Sequence, residues 1–377
     1  MKKNVVRKRS TRSILMLVLS ALFFLLNAFS CEDVKEAEMR TSAYWTSPVM
    51  SPDQAAALAQ HDIVIVDMEN MINNKQSLLI MKKLNEDIKL ICYSNPMEIF
   101  DPMPANRPTQ TLWANEIKLK YPQWLLKNGE GKNCVFWPGM LMLNMSNSCP
   151  QAKTEYGDLR YNQWMSRKLV ENVLSDPIWD GHITDNCTQD IAWVPKAPFA
   201  QIDIDGDGLS DNPASIDDSW EKGMRSFLNN LRSNTREGFI LGGNKGVLNF
   251  ADILDLIVFE NFPNEHLGSK INGGWDQSVR NAETMAMGNV RYVIFHAKLQ
   301  DFEFVLASAL LFDYTYVALG QDNTSFPEVL KLNPGEPIGD KQSTSTGVWF
   351  RDFENISVEV FPPGRLGKIR NLEKIVL

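Results

Sequence analysis

The sequence predicts an α/β protein: a (β/α)8 TIM barrel over residues 42–325 and a short C-terminal β appendage over residues 326–377. Three observations predict it. Eight short apolar runs, rich in branched residues, alternate with helical segments, so βαβ units are the economical reading. Several of these runs end in polar residues, as buried parallel strands do when they carry functional groups at their C-terminal ends. The chain has 377 residues and is 44% hydrophobic, ample for one barrel of about 250 residues with insertions.

The first 30 residues read as a targeting segment. Lys2, Lys3, Arg7, Lys8, Arg9 and Arg12 form a basic start, and the apolar run Ile14 to Leu26 is too short for a comfortable membrane span. Asn27-Ala28-Phe29-Ser30 then leads to Cys31. A small residue before a Cys resembles a bacterial lipoprotein signal, which makes Cys31 the lipidation site and the cell envelope the destination. Phe29 is bulky for that motif, so plain signal-peptide cleavage and secretion is the alternative. Removing the six basic residues takes the formal charge from −8 to −14. So acidic a mature chain excludes nucleic acid as a partner. Residues 31–41 are charged and form a tether.

Ser42-Ala43-Tyr44-Trp45 is the first strand, and Ser51-Pro52-Asp53 caps a helix through Gln60. Ile63 to Val66 is the second strand, a helix spans Lys75 to Leu84, and Ile88 to Tyr93 is the third strand. From Asp101 to Glu155 the pattern loosens into a long excursion, an active-site rim or a small added lobe. A helix from Tyr161 to Leu174 leads to the fourth strand at Gly181. A polar loop insertion at 196–218 precedes a helix opening at Ser219-Trp220. Phe239 to Asn244 and Ile253 to Pro263 carry the fifth and sixth strands. A helix runs to Met287, Val290 to His296 is the seventh strand, Phe302 to Phe312 is a helix, and Tyr314 to Leu319 is the eighth strand. The tail reads as strands and turns packed on the barrel.

Asp185 ends the fourth strand and Glu260 the sixth, so both side chains point into the barrel mouth. Two facing carboxylates are what glycoside hydrolysis needs: one protonates the leaving oxygen, the other attacks the anomeric carbon or activates water. The plainer alternative is a loop cap and a salt bridge; the neighbouring Asn186 and Asn261 favour function. Asp67, Glu69, Asn244 and His296 also end strands and are candidates for sugar hydroxyls, with Asn186. Trp45, Trp193 and Trp275 sit in strand-end loops, where an indole packs or stacks on a sugar ring.

The run Asp203-x-Asp205-x-Asp207-Gly208-Leu209-x-Asp211 supplies oxygens at positions 1, 3, 5, 7 and 9 of an EF-hand-type loop, with the Leu209 carbonyl at position 7. It predicts structural Ca2+. Ala214 stands where a bidentate Glu belongs, so Asp217 or Asp218 would replace it. Cys134 and Cys149 flank one loop and could pair in an oxidising compartment; Cys92 reads as a buried small hydrophobe, and Cys187 is free or paired. The four His (61, 182, 266, 296) are too scattered for zinc.

The segments WDGHITDN (179–186), DIDGDGLSDN (203–212), SWEKGM (219–224), VFENFP (258–263), WFRDFEN (349–355) and PPGR (362–365) resemble hypothetical glycosyl hydrolase family fifteen, barrel proteins related to an α-galactosidase-like and endo-polygalactosaminidase-like superfamily. The resemblance spans most of residues 42–365. It implies Asp185 as nucleophile or base and Glu260 as proton donor, with a carbohydrate substrate. The chain departs from the pattern at Asn355-Ile356 and Phe361-Pro362, which bears on the register of the tail strands. The expected function is an extracytoplasmic glycoside hydrolase; a surface glycan-binding lipoprotein on a barrel that has lost catalysis is the alternative.

Overall fold

The computed structural model describes residues 39–195, 200–246, 248–263 and 274–372. The targeting segment, Cys31 and most of the tether lie outside the described residues. Eight parallel strands close on themselves: β1 (Thr41–Trp45), β2 (Ile63–Asp67), β3 (Lys89–Ser94), β4 (Gly181–Thr184), β5 (Ile240–Asn244), β6 (Leu256–Phe259), β7 (Tyr292–Ala297) and β8 (Thr315–Gln321). Each strand pairs with its neighbour in sequence and β8 pairs with β1, the closure of a TIM barrel.

The strand sequences explain the closure. On β2, Ile63 and Ile65 face inward while Val64 and Val66 face the helices, so both sides of the strand are apolar. The interior is filled by Ile63, Ile65, Ile91, Ile183, Leu256, Val258, Ile294 and Ala318, with Tyr44 and Tyr93 in the same cluster. Gly181 opens β4 because a Cβ there would lie 2.5 Å from the Ile240 carbonyl oxygen of the next strand.

The surrounding helices are α1 (Pro52–Leu58), α2 (Lys75–Leu84), α3 (Pro108–Lys120), α4 (Tyr161–Leu169, continued by a π turn, Val170–Leu174), α5 (Pro213–Asn234), α6 (Gly274–Ala286) and α7 (Phe302–Leu310). Ser51 caps α1 in a reciprocal capping box with Gln54. Two features differ from the sequence reading. Helix α3 was hidden inside the excursion because its apolar residues do not form one stripe: Trp113, Ala114 and Ile117 are buried, but Leu112 and Leu119 are exposed. Helix α5 begins at Pro213, because Asn212 accepts the Ala214 amide as its cap, so residues 213–218 are helical rather than loop. Between β5 and β6 the described residues hold only a short 3-10 turn, Leu248–Phe250.

The excursion after β3 and the aspartate loop after β4 form one lobe. Glu98–Phe100 pairs with Met140–Met142, and Lys127–Asn128 pairs with Ile202–Asp203 of the aspartate loop. Beneath them Tyr121, Trp124, Tyr161 and Trp164 pack ring against ring, all buried. No disulfide forms among the described residues: Cys92, Cys134, Cys149 and Cys187 are free and buried, so the Cys134–Cys149 pair allowed by sequence is absent.

The tail is a four-stranded antiparallel sheet of β9 (Gln342–Ser343), β10 (Trp349–Asp352), β11 (Ile356–Phe361) and β12 (Leu366–Asn371). Pairing of β11 with β12 runs without a break from Ile356↔Asn371 to Phe361↔Leu366, so the two sequence departures leave this register continuous. Gly367 lets β12 touch α7, since a Cβ would meet the Glu303 carbonyl oxygen at 2.5 Å. No helix among the described residues is long and apolar enough to cross a membrane.

Candidate active site

The C-terminal ends of β3 to β7 converge on one mouth. Asp185 follows β4, and its carboxylate is held from three sides. The Tyr93 hydroxyl, on β3, donates to Oδ2 at 2.5 Å; the Asn244 amide, at the end of β5, donates to Oδ1 at 2.5 Å; and the Asn186 backbone N–H donates to Oδ1 at 2.8 Å. The Asn244 Oδ1 in turn accepts the Cys187 N–H at 3.0 Å, which pins the β4 loop to β5. Donors of this kind fix a carboxylate in one orientation.

Glu260 follows β6. It keeps a partly exposed surface, yet protein surrounds it on most sides, as befits a side chain lining the throat of a barrel. Burial first, and the charge of Asp185 second, raise its pKa from 4.5 to about 7, against the opposing effects of Lys245 and the Asn244 side chain. Asn244 therefore stands between the two acids and touches both.

The backbone explains the two acid–amide doublets. Asn186 and Asn261 have φ of 51° and 52°, in the left-handed region. Asn enters that region more readily than other side-chain-bearing residues, so it turns the chain away directly after each strand-end acid. Lys245, after Asn244, has φ 87° with no such excuse, and its side chain lies 5.9 Å over the Phe136 ring.

Three features of this mouth escaped the sequence reading. Glu98 is a buried third acid: it accepts the Trp137 N–H at 3.0 Å and the Asn95 amide at 3.1 Å, and lies 3.4 Å from the Asn186 amide. Burial raises its pKa, and the charge of Asp185 adds to the rise. Phe136 and Trp137 form a rim with Trp193, whose ring meets Phe136 edge-on at 5.3 Å. Tyr44 and Tyr93 stand at the top of the barrel interior, 5.8 Å apart. Only Pro and Asn around Glu98 hinted at a turn bringing it back.

The model of hypothetical glycosyl hydrolase family 15 matches residues 82–357, more than half of the chain. The chain belongs to that family. Membership places it among the glycoside hydrolases. No curated protein matches it. Similar solved structures include the glycoside hydrolase domain of PgaB (BpsB) from Bordetella bronchiseptica, at 11% identity and TM-score 0.47, covering 78% of this chain and 98% of that one. A noncanonic maltogenic α-amylase, AmyB, from Thermotoga neapolitana has 7% identity and TM-score 0.45, with coverage of 87% and 86%. A β-galactosidase from Marinomonas ef1 has 10% identity and TM-score 0.45, covering 75% of this chain and 54% of that one.

The other sequence candidates of this family 15 chain fall in different places. Asn186, Asn244 and His296 line the mouth. Asp67 binds Arg107 at 2.8 Å, and Glu69 is fully buried, accepting the Thr109 and Gln110 N–H groups at the start of α3. Both acids hold that helix in place. Trp45 is buried and donates to the Val49 carbonyl; Trp275 is buried, donates to Ser308 and packs on Trp349 of the tail. Of the three tryptophans only Trp193 stands at the rim, its indole N–H tied to Asp190.

In the aspartate loop, carboxylate oxygens of Asp203, Asp205 and Asp211 lie within 4.8 Å of one another. Asp207 is not in that group and accepts the Leu209 N–H; the Leu209 side chain is exposed. Asp217 accepts the Ile191 and Ala192 N–H groups, so it braces the loop leading to Trp193, and Asp218 pairs with Lys222. Neither fills the twelfth position.

Proposed function

We propose that the chain is an extracytoplasmic glycoside hydrolase in which Glu260 is the general acid and Asp185 the nucleophile. One observation carries the reading: two carboxylates share Asn244 but sit in opposite environments. Asp185 is met by three hydrogen-bond donors, while burial and its neighbour's charge raise the pKa of Glu260 to about 7, so that it keeps a proton well above the usual carboxylate range. In the proposed first step Asp185 attacks the anomeric carbon, and Glu260 gives its proton to the departing glycosidic oxygen. In the second, Glu260 as carboxylate takes a proton from water, whose oxygen cleaves the glycosyl ester and frees Asp185. Phe136, Trp137 and Trp193 supply apolar ring faces at the rim, suited to sugar rings further along a chain.

Anchoring through a lipid on Cys31 and Ca2+ in the aspartate loop are part of the same proposal. The first is supported by the basic and apolar start of the sequence. The second is supported by an all-oxygen seat of three acids, with Asp203, Asp205 and Asp211 as the ligands. The pairing of Asp203 with Lys127 ties that seat to the lobe above the mouth, so the ion's role is structural.

The test is sugar release from a panel of bacterial, algal and plant polysaccharides by the protein beginning after Cys31, with Asp185→Asn and Glu260→Gln beside it. Release by the parent, with loss in both variants and unchanged melting, is expected. Equal release by Glu260→Gln would remove it as the acid. Retention of a glycan without release would indicate a binding protein.

A further inference from the structure

The top of the barrel interior holds two polar side chains that the protein itself leaves unsatisfied. Tyr44 is 4% exposed, and its hydroxyl has no hydrogen-bond partner among the described residues. His296 is 8% exposed; the Gly320 backbone lies close to it, but neither ring nitrogen makes a hydrogen bond of good geometry among those residues. The two rings meet at 5.4 Å. Tyr44 lies near enough to Glu260 and Asp185 for both charges to act on it, after burial, in disfavouring its phenolate. Its neighbour Tyr93 is similarly placed but satisfied, since its hydroxyl donates to Asp185.

A buried hydroxyl without a partner destabilises a fold, and native proteins keep few. Phe would fill the same space without that cost. A Tyr retained beside two acids thus implies a partner that arrives from outside. In the closed barrel, β1 and β7 flank β8 and lie across the mouth from β4, which carries Asp185. β7 adjoins β6, which leads into Glu260, so a ring bound between the two acids would have Tyr44 and His296 on its β1 and β7 side. Burial holds His296 below its ordinary pKa, so at neutral pH its ring offers one donor and one acceptor, as a phenol does. Sugar hydroxyls have the same dual character.

We infer that the Tyr44 hydroxyl, with His296, is a specificity-determining contact for the sugar ring being cleaved, a ring whose hydroxyls are free on the edge facing β1 and β7. The inference rests on the glycosidase reading and deepens it. Tyr44 contacts substrate and does not position either acid; positioning of Asp185 belongs to Tyr93 and Asn244.

The test compares the parent, Tyr44→Phe and Glu260→Gln in two measurements: thermal melting without ligand, and hydrolysis of a panel of 4-nitrophenyl glycosides of neutral hexoses. Tyr44→Phe should melt at or above the parent's temperature while kcat/KM falls about 10- to 100-fold, the loss of one or two hydrogen bonds to substrate. A purely structural Tyr would instead lower the melting temperature. Melting several degrees lower, or hydrolysis at the parent's rate while Glu260→Gln is inactive, overturns the inference and leaves the glycosidase reading intact. If the parent cleaves none of these glycosides, the glycosidase reading is decided by the polysaccharide panel instead. Tyr44 is then judged by the shift in melting temperature that neutral monosaccharides give the parent: loss of the shift in Tyr44→Phe supports the contact, and an equal or absent shift overturns it.

Discussion

The raised pKa of Glu260 suits a proton donor, and it can be tested without knowing the substrate. Its pKa rises from 4.5 to about 7, roughly 3 kcal/mol at 1.36 kcal/mol per unit. Burial is the larger cause and the charge of Asp185 the smaller. Asp185→Asn removes the charge but leaves the burial, so the Glu260 pKa should fall and still stay above 4.5. The assay is a carboxyl 13C titration of protein labelled at Glu, with Glu260→Gln to assign the signal. The stability consequence has a definite sign. A raised folded-state pKa contributes stability that is full below pH 4.5 and is lost as pH rises through about 7. Glu260→Gln carries no such loss. It should match the parent at low pH and exceed it at pH above about 7, by up to about 3 kcal/mol in urea melts. In turnover, kcat/KM should fall tenfold per unit above pH of about 7 as the acid loses its proton. A Glu260 signal titrating at its ordinary value, or moving upward in Asp185→Asn, would refute the reasoning.

Four further outcomes are expected. The anomer released first, followed by NMR, should retain configuration, as the proposed Asp185 nucleophile requires; inversion would make Asp185 a general base instead. Calcium should raise the melting temperature and a chelator lower it, by about 2.7 kcal/mol of stability at one hundred times Kd, with the effect lost in Asp203→Asn; melting insensitive to both would remove the ion. Trp275→Ala should destabilise by about 3–5 kcal/mol in denaturant melts, because it empties a buried site against Trp349. Trp193→Ala, at the half-buried rim, should instead raise KM with a far smaller change in melting.

The barrel was legible because its strands obey one simple rule. Branched apolar runs such as Ile63–Val66 and Val293–Phe295 are buried on both faces. Strand ends were legible for the same reason: the first polar residue after such a run marks the mouth, which located Asp185 and Glu260. The pattern does not distinguish acids that face the throat from acids that hold the scaffold. Asp67 and Asp185 look alike in sequence, and only Arg107, forty residues away, draws Asp67 to α3. Glu98 lay hidden because a hairpin with Met140–Met142, formed through long-range pairing, returns it to the site. Tryptophan positions carried no signal either way, since an indole at a strand end buries as readily in Trp45 as it borders the rim in Trp193.

The site's two halves differ in what they ask of the backbone. Where acids are placed, the chain bends sharply: Asn186, Lys245 and Asn261 follow β4, β5 and β6 with positive φ, and Asp322 follows β8 likewise. A left-handed residue costs of order 1 kcal/mol for most side chains, and Asn reduces that cost by bonding locally. The doublets Asp185-Asn186 and Glu260-Asn261 are therefore each a chemical group followed by the turn that exposes it. Lys245 lacks that relief and bears the strain. What its position gives in return is a cation close enough to lower the pKa of both Glu260 and Glu98. The charge of Asp185 raises the pKa of both Glu260 and Glu98, and the Lys245 cation opposes each rise. Strain at Lys245 and the acidity of Glu260 are thus linked: the backbone distortion falls on the residue whose cation opposes the charge of Asp185 at both Glu260 and Glu98.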